Sequence, residues 1–181
     1  SDSCPPILEE TTKAILKKCE GLPLAIVSIG GLLSTKGQTI DEWDKIYRGL
    51  GAELRRDGKL ANLDTVLSLS YFDLPWHLKL CFLYLSVFPE DYPINHWRLI
   101  RLWIAEGFVL SIPGLTEEEI AGSYLTELTD RSLIQIKTVG LNGRAKEYHI
   151  HDIWRELIIS RSSKHDLVSI YGAQQNNSTQ R

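Results

Sequence analysis

The chain has 181 residues, 43% hydrophobic and 24% charged, with a net charge of -3 and a pI near 6.0. That is room for one domain or two small ones in an ordinary globular balance, with no general basic footprint for nucleic acid. Cys4, Cys19 and Cys81 are odd in number and widely spaced, so they point to a reducing compartment rather than a disulfide framework; no spacing among them and the five histidines reads as a zinc site.

The first elements are helical. Ile7, Leu8, Thr11, Ala14, Ile15 and Cys19 recur at helical spacing with Lys13, Lys17 and Lys18 between them, and Gly21 is a favoured C-terminal cap. Pro23 suits the first turn of a second helix, where its missing N–H costs little. This helix, to about Leu33, is apolar on all sides and is expected to be central. Thr39 or Asp41 can cap a third helix with Trp43, Ile46, Tyr47 and Leu50, and residues 51–60 read as a polar loop. Asn62 or Asp64 starts a fourth helix, turning Val66, Leu67, Leu69, Ser70 and Tyr71 inward. The first part of the chain is thus expected to be a four-helix bundle, and Leu74-Pro75 marks the boundary after it.

Beyond it a helix is expected from Trp76 to Val87, ended by Pro89. Pro93 and Asn95 precede a helix with Trp97, Leu99, Ile100, Leu102, Trp103 and Ile104, closed by Gly107. Thr116-Glu117-Glu118-Glu119 is a capping box, in which hydroxyl and carboxylate satisfy each other's backbone donors. It opens a helix carrying Ile120, Tyr124, Leu125 and Leu128. The period then changes: Leu133, Ile134 and Ile136, then Tyr148 and Ile150, flank Asn142-Gly143, a hairpin signal. A last helix carries Ile153, Trp154, Leu157 and Ile158. Three helices, a hairpin and a helix make a winged-helix arrangement, so the fold class is mainly α with a β-hairpin wing. From about Ser162 the chain turns polar, and its end reads as frayed or a linker. The run 22–33 is broken by Ser28, Gly30 and Gly31 and is shorter than the ~20 residues of a membrane span. The absence of methionine suggests a piece of a longer protein; no signal peptide precedes the first element.

Three strings stand out: Gly21-Leu22-Pro23-Leu24-Ala25, Cys81-Phe82-Leu83-Tyr84-Leu85-Ser86-Val87-Phe88-Pro89-Glu90-Asp91, and Ile150-His151-Asp152. Local chemistry accounts for the first as cap, turn and helix start. It accounts for the second as core, with Glu90 and Asp91 solvated, and for the third as a packed histidine followed by Asp152 as an N-cap. In this order, together with Leu99-Ile100-Arg101-Leu102-Trp103-Ile104-Ala105-Glu106-Gly107-Phe108 and Arg131-Ser132-Leu133-Ile134, they resemble the second half of the nucleotide-binding (NB-ARC) module of plant NLR disease-resistance proteins, coiled-coil class. The resemblance runs from about Ile7 to Ser160.

It implies an ARC helical subdomain over 1–73, a winged-helix subdomain over 74–165, and a linker over 166–181 toward leucine-rich repeats. It implies that Pro23, with Leu24 beside it, packs against the adenine of a bound nucleotide, and that His151 hydrogen-bonds the β-phosphate of ADP. Gly21, Leu22, Ile150 and Asp152 complete the two motifs. Ile150 stands where the family usually has Met, an apolar replacement that should keep the packing. The parent would be a cytoplasmic immune receptor. It would be held off by ADP until exchange for ATP and would oligomerise on activation, with the nucleotide-binding domain and leucine-rich repeats as intramolecular partners.

Two other classes are weighed against this. A winged-helix transcription factor would present its third helix to DNA. Here that helix carries Glu117, Glu118, Glu119, Glu127 and Asp130, opposed only by Arg131, and Lys137, Arg144 and Lys146 make a weak wing patch. An enzyme would need a nucleophile beside a base in a recognisable motif, and none is present. There is also no Gly-x-x-x-x-Gly-Lys-[Ser/Thr] loop, so this segment is expected neither to hydrolyse ATP nor to bind nucleotide tightly by itself. No DNA and no membrane contact are expected.

Overall fold

A computed structural model of the chain describes residues 4–52, 59–141 and 143–163. The expected class is observed: helical segments followed by a three-stranded, winged-helix-like end. The chain divides into two compact units. The first is Ser1–Leu74 with Asp130–Ser132; the second is Pro75–Thr129 with the chain from Leu133 onward.

The first unit holds α1 (Glu9–Lys18), α2 (Pro23–Ser34), α3 (Ile40–Ala52) and α4 (Lys59–Phe72). A short 3-10 turn, Pro6–Leu8, leads into α1. Thr39 caps α3, its Oγ1 accepting the Glu42 N–H at 3.4 Å. Packing is chiefly α2 on α4 and α1 on α3, around Leu8, Ile15, Ile29, Leu32, Leu67 and Tyr71, all buried. The expected polar loop over 51–60 is shorter at both ends, because α3 runs through Ala52 and α4 starts at Lys59. Lys59, Leu60 and Ala61 are good helix formers and extend the helix backward. Residues 53–58 lie outside the described residues, as does the expected linker 166–181.

α2 is not buried all round. Ala25, Ser28, Ile29 and Leu32 form its buried stripe, while Ile26 and Val27 are 38% and 48% exposed. Helical spacing puts 25, 28, 29 and 32 on one face and 26 and 27 off it. Near its end, Gly31 meets the segment Asp130–Ser132: a Cβ there would lie 2.4 Å from the Arg131 carbonyl oxygen, so only glycine fits. The Arg131 side chain, 10% exposed, donates to Asp73 Oδ2 at 2.9 Å, and Lys36 holds Asp73 Oδ1. Arg131 therefore does not serve as a phosphate-facing cation at the end of an acidic helix.

The second unit comprises α5 (Trp76–Tyr84), a 3-10 turn (Leu85–Val87), β1 (Ile94–Asn95), α6 (His96–Ala105), α7 (Glu117–Asp130, to Thr129 in this unit), β2 (Gln135–Val139), β3 (Ala145–His149) and α8 (Asp152–Ser163). The sheet is antiparallel with order β1-β3-β2, and Ile94 faces Tyr148. β1 has only two residues, too few for alternation to show in the sequence. Asn95 caps α6 through Oδ1, accepting the Arg98 N–H at 3.1 Å. Thr116 and Glu119 form the expected capping box, with Glu119 N–H to Thr116 Oγ1 at 3.2 Å and Thr116 N–H to Glu119 Oε2 at 2.8 Å. The Thr116 N–H and the Thr116 hydroxyl, which donates to the same oxygen at 3.0 Å, hold the Glu119 carboxyl below its ordinary pKa.

Leu80, Phe82, Leu83, Leu85 and Phe88 are buried as expected, but Val87 is 61% exposed. The helix tightens to a 3-10 turn after Tyr84, which turns Val87 off the core-facing stripe. Trp103 and Trp154 are fully buried, and Phe82 meets Trp154 edge to face at 5.5 Å. Of the turn signal Asn142-Gly143, Gly143 has the expected positive φ of 73°; Asn142 lies outside the described residues.

Candidate functional site

The sequence motifs fall at two helix starts, one in each unit. In the first, α1 ends through two left-handed residues, Glu20 (φ 50°) and Gly21 (φ 74°). The chain closes back with the Leu22 N–H donating to the Cys19 carbonyl at 2.9 Å. Leu22 is then extended (φ -73°, ψ 118°), Pro23 takes the first helical position, and the Ile26 N–H donates to the Leu22 carbonyl at 3.1 Å. No side chain caps α2. None is needed at Pro23, which has no N–H to satisfy. The Pro23 ring is exposed, Leu22 and Leu24 are half-buried, and Ala25 is buried.

In the second unit, β3 ends at His149 and α8 begins at Asp152. Ile150 is 5% exposed, an apolar anchor between them. The cap is not Asp152. The Ile153 N–H donates to Nδ1 of His151 at 3.3 Å, so the imidazole occupies the N-cap position and Asp152 is the first helical residue, its side chain exposed. A carboxylate inside the first turn still interacts favourably with the helix N-terminus. The imidazole cap has a chemical consequence: an acceptor at Nδ1 puts the ring proton on Nε2 in the neutral form, so Nε2–H is the ring's remaining donor.

Neighbours that no motif announces fix this corner. The Arg155 N–H donates to the His151 carbonyl at 3.0 Å, and Arg155 Nε donates to the Phe88 carbonyl at 3.1 Å. Arg155 thus ties the first turn of α8 to the end of the middle string. Phe88 stacks on Tyr92 at 5.7 Å, and Arg98 Nη1 donates to the Tyr92 hydroxyl at 2.8 Å. Between them Asp91 takes a left-handed φ of 56°, and its carbonyl accepts from Lys137 Nζ at 3.3 Å. Glu90 and Asp91 are exposed. The hint of Arg155 available in the sequence was its position one helical turn after His151. The carbonyl it reaches, 67 residues earlier, could not be read there.

Gly21, Leu22, Pro23 and Leu24 belong to the first unit; Ile150, His151 and Asp152 belong to the second. Burial pushes the Cys19 and Cys81 thiols up, which makes them poor nucleophiles. Among the described residues no group of three or more His, Cys, Asp or Glu could hold a metal ion, and no helix is long and apolar enough to cross a membrane.

The profile of the disease resistance protein winged helix domain family matches residues 87–158. Over 164 residues the chain is 40% identical to disease resistance protein RPM1 of Arabidopsis thaliana, covering 91% of this chain and 18% of that protein. Over 165 residues it is 39% identical to disease resistance protein Pik-2 of Oryza sativa subsp. japonica, covering 91% of this chain and 16% of that protein. The chain thus spans less than a fifth of the length of these relatives.

Proposed function

We propose that the chain, whose residues 87–158 match the disease resistance protein winged helix domain family, is the regulatory segment of a cytoplasmic, NLR-type immune receptor of the coiled-coil class, closing over ADP bound to the nucleotide-binding domain of the same parent. Residues 1–73 would be the helical ARC part, and 166–181 would lead toward leucine-rich repeats. The observation that carries the reading is the His151 cap. A ring whose Nδ1 is held by the Ile153 N–H offers Nε2–H, the donor that an anionic phosphate oxygen needs, beside a helix N-terminus that favours negative charge. The exposed Pro23 ring offers a rigid apolar face that a purine can cover without any specific hydrogen bond.

On this reading Pro23 and Leu24 would meet the base of the parent's nucleotide, and His151 would meet its phosphate. The nucleotide supplies the difference between resting and active states. His151 contributes to the switch only through contacts that differ between them. With ADP exchanged for ATP, the winged helix would leave its resting contacts and the parent would oligomerise. The segment performs no chemistry of its own and binds nucleotide only weakly without the phosphate-binding half. The acidic face of α7 and the pairing of Arg131 with Asp73 speak against a role in reading DNA.

Two substitutions in the intact receptor test this. His151→Ala removes both the cap and the donor. His151→Asn keeps a good N-cap but loses the imidazole N–H. Both are expected to lower the ADP retained through purification and to signal without a pathogen. Normal ADP content and silence in both variants would overturn the proposal.

A further inference from the structure

We propose that Arg155 is the positioning residue of the His151 corner, holding the imidazole in the geometry that leaves Nε2–H as its remaining donor. Given His151 as a phosphate contact, the reading on which this one rests, Arg155 is the group that keeps the contact aimed. Among the described residues the ring has one hydrogen bond, from the Ile153 N–H to Nδ1 at 3.3 Å. That is long beside the ~2.9–3.0 Å of a well-made N–H···O bond. The direction of the ring is therefore set chiefly by the backbone on which it stands.

Arg155 fixes that backbone from both of its ends. Its N–H donates to the His151 carbonyl at 3.0 Å, and its Nε donates to the Phe88 carbonyl at 3.1 Å. Among the described residues the second bond is the only one that leads from the first two turns of α8 to another part of the chain. Ile150 and Trp154 anchor the same corner by burial, but apolar contact is non-directional. It fixes depth and leaves rotation about the helix axis soft. A planar guanidinium bonded through Nε supplies the missing direction. No carboxylate pairs with Arg155 among the described residues, so this carbonyl holds the side chain and no ion pair does.

The Phe88 carbonyl suits the task because no backbone N–H among the described residues uses it. Phe88 closes the Leu85–Val87 turn through its own N–H, which donates to the Leu85 carbonyl at 3.2 Å, and is then extended (φ -85°, ψ 142°). Pro89 follows and has no N–H. Phe88 is almost wholly buried, so a lost bond leaves an acceptor unsatisfied. Its ring meets Tyr84 edge to face at 6.5 Å and stacks on Tyr92. The anchor is thus well fixed, and a displacement of the loop after it would reach His151 through one side chain.

A cation one helical turn after His151 could also meet a phosphate itself. The geometry favours positioning, since the guanidinium nitrogen with a partner is Nε, turned to a carbonyl 67 residues earlier. Substitutions separate the two roles. Arg155→Met keeps a long, helix-favouring stem and removes every side-chain donor. Arg155→Gln puts an amide N–H where Nε stands and removes the charge. Arg155→Lys keeps the charge on a flexible stem.

Hydrogen exchange at the Ile153 amide of the 181-residue chain reads the cap, with Leu157 and Ile158 as internal controls. Arg155→Met should speed exchange at Ile153 about fivefold and the controls less than about twofold, and Arg155→Gln should restore Ile153. In the intact receptor Arg155→Met should lower retained ADP as His151→Ala does, and Arg155→Gln should restore it. Arg155→Met added to His151→Ala should cause no further loss, because nothing is left to position. Three results overturn the assignment: an unchanged Ile153 amide in Arg155→Met, an equal rise in exchange throughout α8, which makes Arg155 a stabilising residue only, or ADP retention restored by Arg155→Lys while Ile153 still exchanges fast, which makes Arg155 a phosphate contact in its own right. His151→Ala alone decides the ADP contact: if that variant retains ADP, the contact fails, and the Ile153 amide still decides the role of Arg155.

Discussion

The starts of α2 and α8 solve one problem in two ways. A helix leaves its first backbone N–H groups without intrahelical partners. At α2 the backbone does the work: Pro23 carries no N–H, and the left-handed Glu20-Gly21 pair delivers the chain. The Pro23 side chain has no structural partner to satisfy and is exposed. At α8 a side chain does the work, and His151 is both cap and proposed ligand donor. A site built on backbone can vary its exposed atoms freely. A site built on a capping side chain couples any change in the contact to the stability of the helix behind it.

The largest expected break in this comparison is at the anchor of α8. Trp154 is fully buried against Phe82, and Trp154→Ala should cost about 3–5 kcal/mol and loosen the His151 corner, while the α2 start keeps its NMR shifts. Its buried indole N–H has no partner, so Trp154→Phe should cost much less, since no hydrogen bond is lost. Urea midpoints read by circular dichroism separate the two.

A smaller effect sharpens the comparison directly. His151→Ala should cost about 1 kcal/mol for the lost cap and Pro23→Ala about 0.5 kcal/mol for added freedom in the unfolded chain. His151→Asn should recover most of the loss. Equal losses for His151→Ala and His151→Asn would mean that the imidazole cap contributes nothing in solution.

The smallest effect is a pH dependence confined to the second unit. Burial lowers the His77 pKa, with Glu127 opposing; its Nδ1 is buried without a partner, and its ring packs 4.9 Å from that of Tyr124. His96 is lowered by burial as well. A depressed folded pKa means that the unfolded chain takes up the proton first. The contribution is therefore complete above the ordinary histidine value of ~6.5 and is lost as pH falls through it toward the folded values. The urea midpoint should decline on acidification over that range, and His77→Phe should flatten the decline. An unchanged slope would remove His77 as its source.

Much of this was legible in the sequence because it is local. Pro23 at the first turn, the Thr116–Glu119 capping box and the glycine at the wing turn are each decided within a few residues. The middle string begins to overlap the matched winged-helix profile, residues 87–158, because packing leaves a recurrent pattern. The errors came where local signals compete. Asp152 is a better N-cap than histidine by propensity, yet His151 takes the position. α2 reads as apolar throughout, and only one stripe of it is covered.

Composition, periodicity and capping chemistry determined the helix order and the hairpin, since those depend on interactions between near neighbours; Pro23 and His151 were singled out by the resemblance. Only the tertiary structure decided that Gly31 must lack a side chain, that Asp73 binds Arg131 58 residues away, that Arg155 reaches Phe88, that β1 exists, and which nitrogen of His151 keeps its proton. Each of these turns on where a distant backbone atom or charge arrives. The reason is physical: a hydrogen bond or a close approach is set by distances in space, and separation along the chain bounds those distances only for the nearest few residues.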